Sequence, residues 1–149
     1  MPHDTLPDSV LADLVACRLP GDLARSLPPA PYVSDRFATC EIDSLFRHTW
    51  LGIGRADRFA AAGDYETQDI AGQTIIVLRD KDGGLRAFAN TCRHRGARLL
   101  DGRGNCRSIR CPFHAWACRL DGTLAAAPPI WTPSRAISPP CMRPGPSAS

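Results

Sequence analysis

Two short pairs of cysteine and histidine are the residues of this 149-residue chain best suited to metal chemistry. The first pair is Cys92-x-His94, the second is Cys111-x-x-His114, and sixteen residues separate the two. Two thiolates on one iron and two imidazoles on the other are the protein ligands of one type of [2Fe-2S] cluster. Structural zinc sites also use Cys and His, but usually place two cysteines on one arm and two histidines on the other. The mixed arms favour the cluster and leave a zinc-stabilised interaction module as an alternative.

Short runs of β-branched and aromatic residues predict strands for the segments that must position these pairs. The runs occupy residues 50–54, 65–69, 73–79, 85–90, 108–111 and 115–120. Ala71-Gly72 and the Asp-Gly-Gly sequence at 82–84 have the composition of hairpin turns. The two pairs would lie at the tips of neighbouring hairpin-like loops, so the sequence predicts a mainly β fold.

Helices are predicted only before these strands. The apolar residues between positions 10 and 15 repeat with a helical period, with Ser9 as the expected N-cap. Three prolines between positions 28 and 31 end that segment. A second helix is predicted over residues 35–50 behind Ser34, because its apolar side chains fall on one face.

The end of the sequence has a different composition. Residues 128–149 contain seven of the fourteen prolines and no regular apolar period, which predicts a disordered tail. The chain is therefore expected to divide into an N-terminal helical or extended segment (1–33), one globular domain (34–127) and this tail (128–149).

The residues around the two pairs read CRHRGA at 92–97 and CPFHAW at 111–116. They resemble the Rieske domain of the large (alpha) subunits of ring-hydroxylating oxygenases, whose usual forms are CxHRG and CPYHGW. The resemblance extends from residue 31 to residue 124. It implies an antiparallel Rieske-type β-sandwich with two cluster-binding loops, preceded by one or two short helices. It also implies that Cys92 and Cys111 bind one iron of a [2Fe-2S] cluster and that His94 and His114 bind the other.

Two residues of the second motif carry further expectations. Relatives have glycine where this chain has Ala115. If that position requires a positive φ, the Cβ of Ala115 costs roughly 1 kcal/mol or more. Trp116 is expected to pack behind the second loop.

The resemblance implies one-electron transfer within an oxygenase that acts on aromatic rings or quaternary amines. Relatives continue beyond this region into a catalytic domain, in which two histidines and a carboxylate hold a mononuclear iron. Nothing similar follows Leu124, and the two remaining histidines are His3 and His48. We therefore expect a truncated chain, or one complemented by a separate catalytic chain, that is not catalytic alone. A free-standing Rieske ferredoxin is the alternative, although the helical segment before Trp50 argues against it.

Charge is unevenly distributed along the sequence. Residues 1–91 carry nine basic and thirteen acidic side chains, a net charge of −4, whereas residues 92–119 carry seven arginines and one aspartate, a net charge of +6. The arginines are Arg93, Arg95, Arg98, Arg103, Arg107, Arg110 and Arg119. Such a surface favours an acidic electron donor, which the resemblance identifies as a ferredoxin or reductase. No stacking platform or recognition helix accompanies the arginines, so nucleic-acid binding is not expected.

Location and redox state follow from what the sequence contains. Its first residues have no charged head followed by an apolar stretch, and no segment approaches twenty apolar residues. A cytoplasmic protein that does not bind membranes is therefore expected. Five cysteines remain outside the two pairs, and reduced thiols are expected for all of them: Cys17, Cys40, Cys106, Cys118 and Cys141.

Overall fold

The computed structural model describes residues 8–23, 25–128 and 142. Its contacts divide the chain into two compact units, Met1–Gly52 and Ile53–Ser149. The first unit is helical, and the second contains every strand of the described residues and both Cys-His pairs.

The helical unit contains α1 (Asp8–Ala16), α2 (Ala30–Val33) and α3 (Asp35–Glu41), followed by a π-helix (Ile42–Phe46). Ser34 is the N-cap of α3, as predicted, because its hydroxyl accepts a hydrogen bond from the Phe37 N–H at 3.2 Å. The predicted second helix is too long, since the backbone changes to π geometry at Ile42 and the helix ends at Phe46.

The predicted cap of α1 is wrong, because the helix begins at Asp8 and Ser9 lies inside it. Helix ends fray, so a boundary inferred from a capping residue can be displaced by one or two positions.

Two antiparallel sheets form the second unit and confirm the mainly β prediction. The larger sheet has the order β3-β2-β1-β4 and the smaller has the order β5-β6-β7. Their strands are β1 (Asp64–Ile70), β2 (Gln73–Arg79), β3 (Leu85–Ala89), β4 (Arg103–Asn105), β5 (Ile109–Arg110), β6 (Ala117–Cys118) and β7 (Leu124–Ala126). A short 3₁₀-helix, Ala56–Arg58, precedes β1.

The centre of the larger sheet is β2, whose four consecutive residues 75–78 are all buried. Because successive side chains of a strand point to opposite faces, Ile76 and Leu78 join the main core. Ile75 and Val77 join a smaller cluster with Phe59. Both faces of β2 are covered, which explains its continuous apolar run.

The turn after β1 confirms one predicted hairpin. Ala71 and Gly72 both have positive φ, 49° and 75°, as a two-residue turn with the twist of its flanking strands requires. The next turn is held by Asp80, a carboxylate that is only 2% exposed. It accepts hydrogen bonds from the backbone N–H groups of Asp82 and Gly84 and from the Arg86 guanidinium.

The prediction of a strand at 50–54 is wrong, since these residues are irregular. Their apolar character has another cause: Ile53 packs against the smaller core cluster, and its carbonyl accepts a hydrogen bond from the Gln68 side chain at 2.7 Å. Two strands were missed, β4 and β7. Their sequences, RGN and LAA, have little intrinsic strand preference, so pairing with a neighbour decides their conformation.

One further expectation needs correction. Cys118, which is buried in the main core, is disulfide-bonded rather than reduced. Cys17, Cys40 and Cys106 are free thiols, as predicted, and Cys141 lies outside the described residues.

The predicted disordered tail, residues 128–149, is described only at positions 128 and 142, so its disorder stays a prediction. Met142 is fully buried against the main core, where a flexible thioether side chain can fill an irregular gap.

Among the described residues, no helix has both the length and the apolar character needed to cross a lipid bilayer.

Candidate metal centre

The two Cys-His pairs lie on two loops with the same backbone hydrogen bonds. In the first Cys-His loop (residues 92–97), the Cys92 N–H donates to the carbonyl of Ala97 and the Gly96 N–H donates to the carbonyl of Cys92, both at 2.8 Å. The second Cys-His loop (residues 111–116) repeats this pattern. The Ala115 N–H donates to the carbonyl of Cys111 at 3.0 Å, and the Cys111 N–H donates to the carbonyl of Trp116 at 2.8 Å. Each cysteine is therefore fixed through its own backbone.

The residue four positions after each cysteine has a left-handed conformation. Gly96 has a φ of 73° and Ala115 a φ of 58°. This residue lies two positions after His94 in the first loop and directly after His114 in the second, so each loop turns just beyond its histidine. The predicted cost of the Ala115 Cβ depended on a positive φ at this position, and the structure has one.

The two thiols are buried beside each other. Cys92 and Cys111 are each 3% exposed and belong to the main core. Burial raises the pKa of the Cys92 thiol, and the adjacent Cys111 thiol raises it further. Without a bound metal, Cys92 therefore retains its proton at neutral pH.

The two imidazole rings are also in contact. Their centroids are 4.7 Å apart, with an angle of 71° between the ring planes of His94 and His114. The pKa of His94 is lowered by partial burial and by the charges of His114 and Arg95, so this ring is neutral at pH 7. The Nδ1 atoms of both rings are buried and make no hydrogen bond with the described residues.

Two aromatic side chains from the second loop flank these rings. The indole of Trp116, which is 1% exposed, stacks parallel to the His94 ring of the first loop, with centroids 5.1 Å apart and planes 3° apart. Trp116 therefore packs across both loops, rather than only behind the second. The ring of Phe113 lies against the His114 ring, with centroids 4.1 Å apart, and Phe113 is 62% exposed. The histidine side of the site thus reaches the surface, whereas the cysteine side faces the core.

Sequence reasoning missed Asn90, which closes the base of the first Cys-His loop. This side chain is 2% exposed. Its Oδ1 accepts hydrogen bonds from the N–H groups of Leu99 and Leu100, both at 3.0 Å, and its Nδ2 donates to the carbonyl of Leu100 at 2.7 Å. A bridge between Thr91 and Arg98 adds to this closure. A polar residue at the end of a predicted strand, two positions before Cys92, was the available signal.

All seven arginines of residues 92–119 are exposed. Among them, Arg98 forms an ion pair with Asp101 at 2.5 Å, and Arg103 forms one with Glu66 at 3.4 Å. The positive charge predicted for this part of the sequence is therefore at the surface, on and beside the two Cys-His loops.

The structure brings together the four predicted ligands and leaves other candidates apart. His48 is an exposed residue in the turn after the π-helix, in the helical unit, and His3 lies outside the described residues. Within residues 8–23, 25–128 and 142, no three Cys, His, Asp or Glu side chains are grouped as ligands of one ion. The donors instead form one pair of sulfurs and one pair of nitrogens with buried Nδ1 atoms, which fits a [2Fe-2S] cluster with a different ligand pair on each iron.

Comparison with known proteins gives consistent matches. The family model described as the Rieske [2Fe-2S] domain matches residues 49–134. The carnitine monooxygenase oxygenase subunit of Acinetobacter baumannii is 39% identical over 107 residues, covering 71% of this chain and 29% of the relative. The biphenyl 2,3-dioxygenase subunit alpha of Rhodococcus jostii is 34% identical over 119 residues, covering 78% of this chain and 26% of the relative.

Solved structures agree with these matches. The structure of a quaternary ammonium Rieske monooxygenase, which was described for its carnitine oxidation and inter-subunit electron transfer, superposes with a TM-score of 0.76 at 34% identity. The superposition covers 95% of the present chain and 37% of the monooxygenase chain. The present chain therefore spans well under half the length of the oxygenase subunits that it matches.

Proposed function

Because the chain belongs to the Rieske [2Fe-2S] domain family, we propose that Cys92 and Cys111 bind one iron of the cluster and that His94 and His114 bind the other. The observation that carries this proposal is the pairing of like donors. The two thiols are adjacent and buried, and the two imidazoles are in ring contact. Two sulfurs and two neutral nitrogens are the donors that distinguish this cluster type from four-cysteine clusters.

Cluster binding requires these side chains to be deprotonated, and their surroundings determine where the protons come from. The raised pKa of Cys92 means that its thiol must lose a proton when iron binds. The lowered pKa of His94 means that its ring is already neutral. Uptake of the cluster should therefore release protons from the cysteine side and none from His94.

When bound, the cluster supplies a redox couple that accepts and releases one electron at a time. The chain provides a path for that electron on the histidine side. Both imidazoles are partly exposed, and Phe113 extends from the His114 ring to the surface. The cysteines are covered by the core, so electrons should enter and leave through the histidine edge.

We infer that the electron donor is an acidic ferredoxin or reductase. The exposed arginines on and beside the Cys-His loops would attract such a protein and orient it towards the histidine edge. Exposed lysines and arginines near an electron-transfer site mainly increase the association rate, so this role is best tested kinetically.

The function that these relatives favour is electron delivery in an oxygenase of quaternary amines or aromatic rings. The relatives named above are a carnitine monooxygenase subunit and a biphenyl dioxygenase subunit. We propose that this domain passes its electron to an oxygen-activating iron site, and that the 149 residues alone hydroxylate neither substrate class. The basis is the histidine count: two of the four histidines are assigned to the cluster, so a facial triad would need both His3 and His48 beside a carboxylate. His48 is an exposed residue of the helical unit.

Metal analysis of purified protein tests the assignment. The chain, expressed with iron and sulfide available, should contain about two irons and two acid-labile sulfides and give the EPR signal of a mixed-ligand cluster when reduced. One zinc per chain and no labile sulfide would instead support the zinc-stabilised module. Hydroxylated carnitine or biphenyl formed by the 149-residue chain with only a reductase and oxygen would contradict the proposal that these residues alone hydroxylate neither substrate class.

A further inference from the structure

The indole N–H of Trp116 is buried and has no hydrogen-bond partner among the described residues. The whole side chain is 1% exposed. Buried tryptophans usually find an acceptor for this N–H group, because a buried donor without one loses its hydrogen bond to water and gains nothing in return. The described part of the chain therefore supplies no acceptor for this N–H group.

The surroundings of Trp116 restrict what the acceptor can be. The side chain belongs to the main core, in which apolar residues such as Leu99 and Ile109 offer no oxygen or nitrogen acceptor on their side chains. The same core contains the thiols of Cys92 and Cys111. On one face the indole is covered by the His94 ring, which stacks on it at 5.1 Å. Trp116 thus lies among the proposed cluster ligands.

We propose that Trp116 donates its indole N–H to a sulfur of the bound [2Fe-2S] cluster and is therefore a cofactor-binding residue in addition to the four ligands. The proposal rests on the function proposed above, because that cluster supplies the acceptor. Hydrogen bonds to the sulfurs are among the factors that set the potential of iron–sulfur clusters. A donor stabilises the reduced cluster, with its greater negative charge, more than the oxidised one, so Trp116 raises the midpoint potential.

Isotope labelling tests the hydrogen bond directly. The protein is produced with tryptophan labelled with ¹⁵N in the indole ring, and the reduced cluster is studied by pulsed EPR. A ¹⁵N coupling transmitted through the N–H···S bond is expected. The coupling should vanish in W116F, which keeps an aromatic ring to stack on His94 but has no N–H, and the midpoint potential should fall.

W50F is the matched control, since Trp50 is 70% exposed and lies in the helical unit. It should keep both the ¹⁵N coupling and the potential of the original protein. A wild-type chain with a normal cluster but no ¹⁵N coupling would overturn this inference alone, even if W116F failed to fold. A W116F cluster with an unchanged potential would also overturn it. A wild-type chain that bound zinc or no iron would overturn the proposed function as well.

Discussion

Gly96 and Ala115 occupy the same position in two loops with the same backbone hydrogen bonds, and both have left-handed φ angles, 73° and 58°. Each lies four residues after a cysteine and donates its N–H to the carbonyl of that cysteine. Glycine adopts this conformation without steric cost, whereas the Cβ of alanine approaches the following carbonyl oxygen. The second Cys-His loop is therefore strained at the residue that follows His114.

Replacing Ala115 by glycine should stabilise the protein. Relief of left-handed strain contributes about 1–2 kcal/mol, and the greater flexibility of the unfolded glycine chain offsets about 0.4–1 kcal/mol of it. Ala115→Gly should therefore raise the free energy of unfolding by up to roughly 1.5 kcal/mol, measured by urea denaturation of cluster-free protein. Release of iron to a chelator should also become slower.

Ala71 provides the matched control, because it has a φ of 49° in the β1–β2 turn. Ala71→Gly should stabilise the fold to a similar extent without slowing iron release. Gly96→Ala should lower the free energy of unfolding and speed iron release. An added Cβ at Gly96 meets no atom within 4 Å, so backbone strain rather than a steric clash would cause both effects. An Ala115→Gly protein that unfolds more easily than the original would refute the strain argument.

The ligand assignment predicts which substitutions remove the cluster spectrum. His94→Ala and His114→Ala should lose or convert the cluster, and Cys92→Ser should bleach the protein, because each removes a bond to iron. His48→Ala, in the helical unit, should leave absorbance and EPR unchanged. Cys106→Ser is the control for the thiols, since Cys106 is a half-buried free thiol whose pKa is raised by burial. Complete bleaching by Cys106→Ser would show that the ligands are misassigned.

Asn90→Ala should weaken the site although Asn90 is not a proposed ligand. The change leaves the N–H groups of Leu99 and Leu100 at the base of the first Cys-His loop without their acceptor. It also removes one of two donors to the Leu100 carbonyl, the other being the Arg98 side chain at 3.4 Å. The expected loss of unfolding free energy is roughly 2 kcal/mol or more, with faster iron release.

Two variants separate the positioning role of Asn90 from general destabilisation. Asn90→Asp keeps both acceptor contacts and should restore part of the iron retention. Asn105→Ala removes an exposed side chain that forms hydrogen bonds with Ala62 and Asp64. This change should lower the free energy of unfolding less than Asn90→Ala does and should leave the rate of iron release unchanged. Equal iron release from the Asn90→Ala and Asn105→Ala proteins would contradict the positioning role.

Arginines next to the ligands should control the rate of electron uptake. Arg93→Gln and Arg110→Gln should each lower the second-order rate constant for reduction by an acidic ferredoxin at low ionic strength. The difference should shrink at high salt, because screening weakens attraction between exposed charges. Stopped-flow mixing measures this rate. Arg55→Gln is the control, since Arg55 is exposed and paired with Asp57 outside residues 92–119, and a rate that falls equally in this variant would exclude a specific docking role.

Asp80 should make stability dependent on acid pH. Burial raises the pKa of this carboxyl, but the hydrogen bonds from Arg86 and from the Gly84 N–H outweigh burial, and the net pKa lies below its usual value. A carboxyl with a depressed pKa stabilises the fold above its unfolded pKa of about 3.9, and that stability is lost as the pH falls towards the folded value. Urea midpoints of the original protein should therefore drop below pH 4 more steeply than those of Asp80→Asn. Parallel pH profiles would show that Asp80 does not contribute in this way.

The parts of the fold that the sequence predicted are those set by local chemistry. The Ala71-Gly72 turn and β2 follow from turn composition and from a continuous apolar run. The parts that it missed depend on partners distant in the chain. Arg103–Asn105 becomes a strand because it pairs with β1, and residues 50–54 remain irregular although their composition resembles that of a strand.

The candidate site shows the same division. The four proposed ligands could be identified because metal coordination restricts residue type and spacing. Asn90 and the stacking of Trp116 on His94 could not, because a buried side chain acquires its role from the backbone or ring that the fold places beside it. The disulfide at Cys118 was missed for a related reason. Reduced thiols were predicted from the expected cytoplasmic location, which says nothing about which cysteines the fold places next to each other.

The two Cys-His loops are connected differently, and this bears on how the domain folds. The second loop joins β5 to the adjacent β6, where Arg110 pairs with Ala117. The first loop joins β3 to β4, which are strands at opposite edges of the larger sheet. In that sheet β4 pairs with β1, as between Asn105 and Asp64. Contacts that are local in sequence form faster than contacts that must close a long segment of chain. During refolding, Cys111 and His114 should therefore adopt their final geometry before Cys92 and His94, so that completion of the four-residue site reports closure of the larger sheet.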